Sequence, residues 1–337
     1  MHWSGFRRIC SVIIGMAMIA ACGAPGSYES AVFTQNADNS GTSLNGQKFL
    51  VAGLRVSNAL ISDAKTQELI DHMDEFGTYG INTFSIFFQG SRFGDVKGYN
   101  EDATLNATYA DRMGQIIEAA NARNMVVLVG VLYYGNSKAK WDSWGQAEAE
   151  KSVANTIQWL KDNNYRNVFI DVNNEHMAKF DDAGLIAAGK AVDASYVIST
   201  GGKETPANSD MSLHHGKPDI PGKYYIESEG TCKGGFEAFG YKGGYWSAYS
   251  KDPAIYDYIH IGEYRDWLKE RQWHYADSFL RKGQGFIFAS TWLQCAPPDG
   301  PHHMPGGMGT EGDPGIRWML EFIKEKVGPH NKEQYDG

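Results

Sequence analysis

Two short stretches place glutamates where paired carboxyl chemistry is possible. One reads Asp171-Val172-Asn173-Asn174-Glu175-His176 and the other Ile226-Glu227-Ser228-Glu229-Gly230. Each follows a short apolar run, so each stands where a strand ends. If those strands are parallel members of a barrel, charged side chains at their C-terminal ends point into a common mouth. Burial and mutual repulsion there drive carboxyl pKa values apart. One group then holds a proton while the other remains an anion, the division of labour that cleavage of a glycosidic bond requires. Glu175 is the acid of the first stretch. In the second, Glu227 and Glu229 are two positions apart, so both can face the lumen. Glu229 is favoured because a small residue precedes it and a glycine follows. Glu227 is then expected either to bind substrate or to support the groups that do.

The elements that must position these groups recur along the chain. From residue 47, short apolar runs alternate with amphipathic stretches, the rhythm of parallel strands joined by crossover helices. Strands are expected at 49–56, 81–88, 125–133, 168–172, 196–199, 211–214, 224–226 and 286–292. Ser62 is placed to cap a first helix carrying Leu69, Ile70 and Met73 at helical spacing. Further helices are expected at 108–123, 148–163, 183–192, 263–280 and 316–327. Eight βα units fit a single α/β domain of the (β/α)8 TIM-barrel type, commonly about 250 residues long. No Gly-rich fingerprint follows the first strand, which argues against a dinucleotide-binding sheet. Helices after strands five and six are weak, so irregularity is expected there. Long loops follow strands seven and eight, on the face where barrels carry their sites.

Composition narrows the partners. The net charge of −9 over 337 residues is the wrong sign for nucleic-acid binding, which needs clustered Lys and Arg. Nine Trp and 18 Tyr suit stacking on sugar rings as well as an aromatic core. No HxH or HExxH spacing occurs, so no metal is expected, and no cofactor is implied.

The N-terminus reads as an export signal. Arg7 and Arg8 precede the apolar run Ile9–Ala21, too short for a stable bilayer span. The run ends Ile19-Ala20-Ala21-Cys22, which resembles the lipobox of bacterial lipoproteins. That resemblance implies cleavage of a signal peptide, 1–21, and lipidation of Cys22. Residues 22–46, rich in Ser, Asn, Gly and Ala, are expected as a flexible tether, and 47–330 as the catalytic domain. The implied location is the bacterial cell envelope, with the body in water and the membrane touched by lipid alone. Cys10 leaves with the signal and Cys22 is acylated, so Cys232 and Cys295 remain. An oxidising compartment predicts that they bridge. Cys232 follows Glu229 by three residues and Cys295 follows Trp292 by three, which would put both at one rim if strands seven and eight are neighbours.

The chain resembles the clan of retaining barrel glycosidases that includes cellulases, mannanases and β-galactosidases. In that clan an Asn-Glu pair ends strand four and a glutamate ends strand seven, matched here by Asn174-Glu175 and Ser228-Glu229-Gly230. Asn45-Gly46-Gln47-Lys48-Phe49 resembles its lead into strand one, and Tyr79-Gly80-Ile81-Asn82-Thr83 its lead into strand two. The resemblance covers residues 45 to about 328 and implies Glu175 as acid/base and Glu229 as nucleophile. It also implies Asn174 as donor to the sugar 2-hydroxyl and Trp292 as sugar platform. His214 is the lumen choice at the end of strand six, since alternation groups it with Ser212. Tyr133, Trp141, Trp144 and Trp246 are further stacking candidates. Three positions depart from the clan: His176 replaces a usual Pro, strand two lacks its arginine, and strand three lacks its histidine. Arg55 is placed either to substitute for that arginine or to form a structural ion pair. The implied function is hydrolysis of an extracellular poly- or oligosaccharide. The alternative is a carbohydrate-binding surface lipoprotein on a barrel that has lost turnover.

Overall fold

The computed structural model describes residues 29–90, 96–133, 143–202, 204–214, 220–232, 266–289, 309 and 315–336, excepting the side chains of His214 and Leu268. Three short strands, β1 (Phe33–Gln35), β2 (Thr42–Leu44) and β3 (Gln47–Phe49), form a small antiparallel sheet. Eight parallel strands follow: β4 (Ala52–Arg55), β5 (Thr83–Phe87), β6 (Val126–Leu132), β7 (Val168–Asn173), β8 (Ile198–Ser199), β9 (Ser212–His214), β10 (Tyr225–Glu227) and β11 (Gly285–Ala289). Their spatial order is β8-β7-β6-β5-β4-β11-β10-β9. A parallel bridge between Thr200 and Ser212 brings the two ends of that order together, so the sheet curls into a barrel.

The helices are α1 (Asp63–Thr78), α2 (Ala107–Asn121), α3 (Gln146–Asp162), α4 (Asp182–Val192), α5 (Asp266–Leu280) and α6 (Arg317–Val327). Ser62 accepts from the Lys65 N–H at 3.2 Å and caps α1, as its place in the sequence predicts. Asn106 and Asp181 cap α2 and α4 in the same way, satisfying amides that the first turn leaves open. Among the described residues no helix lies between β8 and β9, the irregularity expected at strand five.

Strand alternation sorts side chains into two apolar layers. Leu54, Ile86, Val129, Ile170 and Val172 face the helices. Leu128, Phe169, Leu213, Ile226 and Ile287 fill the barrel. Met211 joins the interior with Leu213; the side chain of His214 lies outside the described residues.

The expected tether is the larger correction. Residues 29–46 pack against the N-terminal end of the barrel instead of trailing from it. Phe33 is buried, stacked on Phe169 at 5.0 Å and edge-on to Phe49 at 6.0 Å. Its N–H donates to the Arg166 carbonyl, and the Ala31 N–H donates to Asn121. Small polar residues made this stretch resemble a linker, but Phe33 and Leu44 supply enough apolar surface to plug the barrel floor. The domain also runs past residue 330, because Tyr335 packs on Phe49 and His330. Replacing Phe33 with Ala should therefore destabilise the barrel by about 3–5 kcal/mol, read as a lowered midpoint in denaturant unfolding. A tether residue would change nothing.

Candidate active site

Arg55 ends β4 with its side chain inside the barrel, since Leu54 and Val56 face the helices. It is fully buried. Its Nη2 donates to Asn174 Oδ1 at 2.7 Å and lies 3.6 Å from Glu229 Oε2. Its Nη1 donates to the Ser228 carbonyl at 3.0 Å. One guanidinium thus joins the ends of three strands and holds Asn174 beside Glu229. The rings of Phe87 and Tyr133 sit against it, with centroids 5.0 and 5.5 Å from Cζ. A cation on an aromatic face is stabilised by the ring quadrupole, more so away from water. Phe87 reaches this place because β6 carries glycine where the ring crosses it. A β-carbon on Gly130 would lie 1.9 Å from a ring atom.

Burial opposes the charge on Arg55, but Glu229, then Tyr133, Asp171 and Glu175, outweigh it and hold the guanidinium protonated above its ordinary range. Burial pushes the Tyr133 hydroxyl up, against the pull of Arg55. Tyr133 is 3% exposed and serves as a wall for Arg55.

Glu227 does not join this cluster. Tyr225 beside it packs on Phe279 of α5, and Glu227 shares that outward face. Its Oε2 accepts from Tyr225 at 2.8 Å and from Tyr275 of α5 at 2.9 Å. Burial, then the charge of Glu227, pushes the Tyr275 hydroxyl up. Glu227 is therefore a buried acceptor between barrel and helix, the supporting place among its two expected ones. The two glutamates diverge because β10 ends at Glu227, and past it the alternation that would pair their faces no longer holds.

Glu175 follows β7 in a short 3-10 turn, with φ 52° and ψ 18°, and His176 continues at φ 50°. Two consecutive non-glycine residues in left-handed conformation cost about 1–2 kcal/mol each. Hydrogen bonds hold the turn in place. The Glu175 N–H donates to the Gly201 carbonyl at 3.1 Å. Asn173 clasps the turn from within, donating to the Ala178 carbonyl at 2.8 Å and to Asp182 Oδ1 at 2.7 Å. Thr200 donates to Asp182 Oδ2 at 3.0 Å, and His176 Nδ1 lies 3.4 Å from Asp182 Oδ1.

Asp171 lies below, on the interior face of β7. Its carboxyl is pushed up to about 7, mainly by burial, against donors from Gly201 and Asn173 and the charge of Arg55, with Asp182 adding to the rise. Sequence reasoning passed over Asp171, Asn173, Asp182 and Thr200. Alternation from Phe169 was the available signal for Asp171; the others are linked through the fold.

Trp144 packs edge-on to Tyr99 and donates to the Glu101 carbonyl at 2.8 Å, a loop anchor. Trp141, Trp246, Trp292, Cys22 and Cys295 lie outside the described residues, so the Cys232–Cys295 bridge does too. Among the described residues no group of three or more His, Cys, Asp or Glu is arranged to hold a metal.

No family model matches the sequence, and no curated protein matches it. Solved structures do resemble its fold. A glycoside hydrolase is 12% identical over 88% of this chain and 73% of its own, with a TM-score of 0.56. A family 5 glycoside hydrolase from Bacteroides vulgatus is 13% identical over 88% and 69%, also at 0.56. A family 5 mannosidase from Rhizomucor miehei is 14% identical over 90% and 98%, at 0.50. At these identities the likeness is one of fold.

The elevated proton affinity of Asp171 has a thermodynamic consequence. The folded protein binds a proton at Asp171 that the unfolded chain releases above pH ~4, so this carboxyl takes stability away as pH rises from about 4 to 7. Asp171→Asn should gain on the wild type across that window by an amount on the order of a few kcal/mol. Parallel denaturant titrations at pH 4, 5.5 and 7 measure it; a constant difference would contradict the assignment.

Proposed function

We propose that the protein is a retaining glycoside hydrolase in which Glu175 is the acid/base and Glu229 the nucleophile. The observation that carries this reading is the contact of Arg55 with both Asn174 and Glu229, at the C-terminal ends of strands in a barrel like those of glycoside hydrolases. A buried guanidinium beside Glu229 favours the carboxylate, the form that attacks. Because Arg55 occupies Asn174 Oδ1 and one amide hydrogen goes to Met177 Sδ at 3.8 Å, the second N–H of that amide is left to donate to a sugar 2-hydroxyl.

In the first step Glu229 attacks the anomeric carbon while Glu175 passes its proton to the glycosidic oxygen. The leaving sugar departs as an alcohol and a glycosyl ester forms on Glu229. In the second step Glu175, now a carboxylate, takes a proton from water. The water oxygen attacks the anomeric carbon and Glu229 leaves as an anion, restoring both groups and retaining configuration. The substrate is an extracellular poly- or oligosaccharide.

Glu175→Gln should lower turnover of unactivated substrates by roughly 10²–10⁴-fold. Glu229→Ala should abolish hydrolysis, and azide should restore it by forming an inverted glycosyl azide. NMR of the first-formed anomer tests retention directly. Azide rescue at Glu227→Ala instead would overturn the assignment. A wild type that binds glycans with no turnover on a polysaccharide and aryl-glycoside panel would point to a binding protein.

Export and lipidation at Cys22 form part of the same proposal, supported by Arg7-Arg8, the apolar run and the lipobox-like Ile19-Ala20-Ala21-Cys22. In a bacterial host, Cys22→Ser should move the protein out of the membrane fraction and abolish labelling by an alkynyl fatty acid. Unchanged fractionation and labelling would refute lipidation.

A further inference from the structure

Asp171 is buried on the interior face of β7, four residues before Glu175. Its Oδ1 accepts from the Gly201 N–H at 2.8 Å and from the Asn173 N–H at 3.1 Å. The other side of residue 201 serves Glu175, whose N–H donates to the Gly201 carbonyl at 3.1 Å. Gly201 therefore works as a strut, tied to Asp171 through its N–H and to Glu175 through its carbonyl. Glycine gives this strut its room, since a β-carbon there would stand 2.8 Å from Asp171 Oδ2 and 3.3 Å from the Leu213 carbonyl and would push them aside. Glu175 needs such a support, because its left-handed backbone is one that residues with a β-carbon rarely adopt.

We propose that Asp171 is the positioning residue of the acid/base: through Gly201 it holds the turn that aims the Glu175 carboxyl group, without itself touching substrate. This rests on the reading of Glu175 as acid/base. The groups that act on Asp171 electrostatically are Arg55, which favours its anion, and Asp182, which opposes it. Oδ2 has no hydrogen-bond partner among the described residues. The contacts to the turn therefore run through Oδ1, an acceptor that an asparagine side chain retains.

A residue acting through a general acid leaves a signature that loss of packing does not. Proton donation matters for a basic leaving group and hardly at all for a good one. The test compares kcat/KM, which reports the first bond cleavage, for phenyl and dinitrophenyl β-glucosides and β-mannosides. The variants are Glu175→Gln, Asp171→Ala, Asp171→Asn and Gly201→Ala. Asp171→Ala should lose roughly 10²-fold on the phenyl substrates, the scale of an ångström-level misplacement, and keep near wild-type values on the dinitrophenyl ones. Asp171→Asn, with its acceptor retained, should recover most of the phenyl activity. Gly201→Ala should reproduce the alanine pattern from the other end of the strut, and it carries the test if Asp171→Ala does not fold. Equal losses on both leaving groups, or no loss on either, would overturn the proposal while the Glu175→Gln pattern stands. Absence of the leaving-group pattern in Glu175→Gln would overturn the acid/base reading itself, and this proposal with it.

Discussion

A fully buried guanidinium is the constraint around which the upper barrel is arranged. Arg55 has been taken out of water, a loss that only opposite charge and well-placed acceptors offset. Asn174, the Ser228 carbonyl and Glu229 supply these from two strands remote in sequence. Phe87 and Tyr133 close its faces, and Gly130 exists as glycine so that Phe87 can lie there. Removing the cation would take from buried Glu229 a charge that favours its carboxylate. The arginine therefore links stability of the barrel mouth to the ionisation that the proposed chemistry needs.

That linkage has a second partner in Asp171. Among the described residues, buried Arg55 lies within electrostatic reach of Glu229, Asp171 and Glu175. One positive charge can neutralise one carboxylate, so the remaining acids are better accommodated protonated in so dry a place. Asp171 follows this rule, with its proton affinity raised toward neutrality by burial.

The turn after β7 shows how strain is held. Glu175 and His176 both occupy left-handed backbone, and around them Asn173, Asp182, Thr200 and Gly201 form a connected set of hydrogen bonds. A proline at position 176, usual in the clan that the sequence resembles, would itself restrict this turn. Here His176 stands in that place, near Asp182, and side-chain bonds do the restraining.

The order of elements, the barrel class, the caps and the strand ends bearing Glu175 and Glu229 were determined by sequence alone. They depend on periodicity and local chemistry, which a linear pattern records. Which glutamate of the pair Glu227 and Glu229 faces the lumen was decided only in three dimensions, because a strand that ends between them breaks the alternation. The same holds for Arg55: its type and place were visible, but its partners come from the fourth and seventh strands of the barrel. Residues 29–46 read as tether because composition averages over the few apolar side chains that matter. Only the open floor of the barrel makes Phe33 a plug. Asp171 needed the fold most, since its meaning lies in a peptide 30 residues away that no local pattern connects to it.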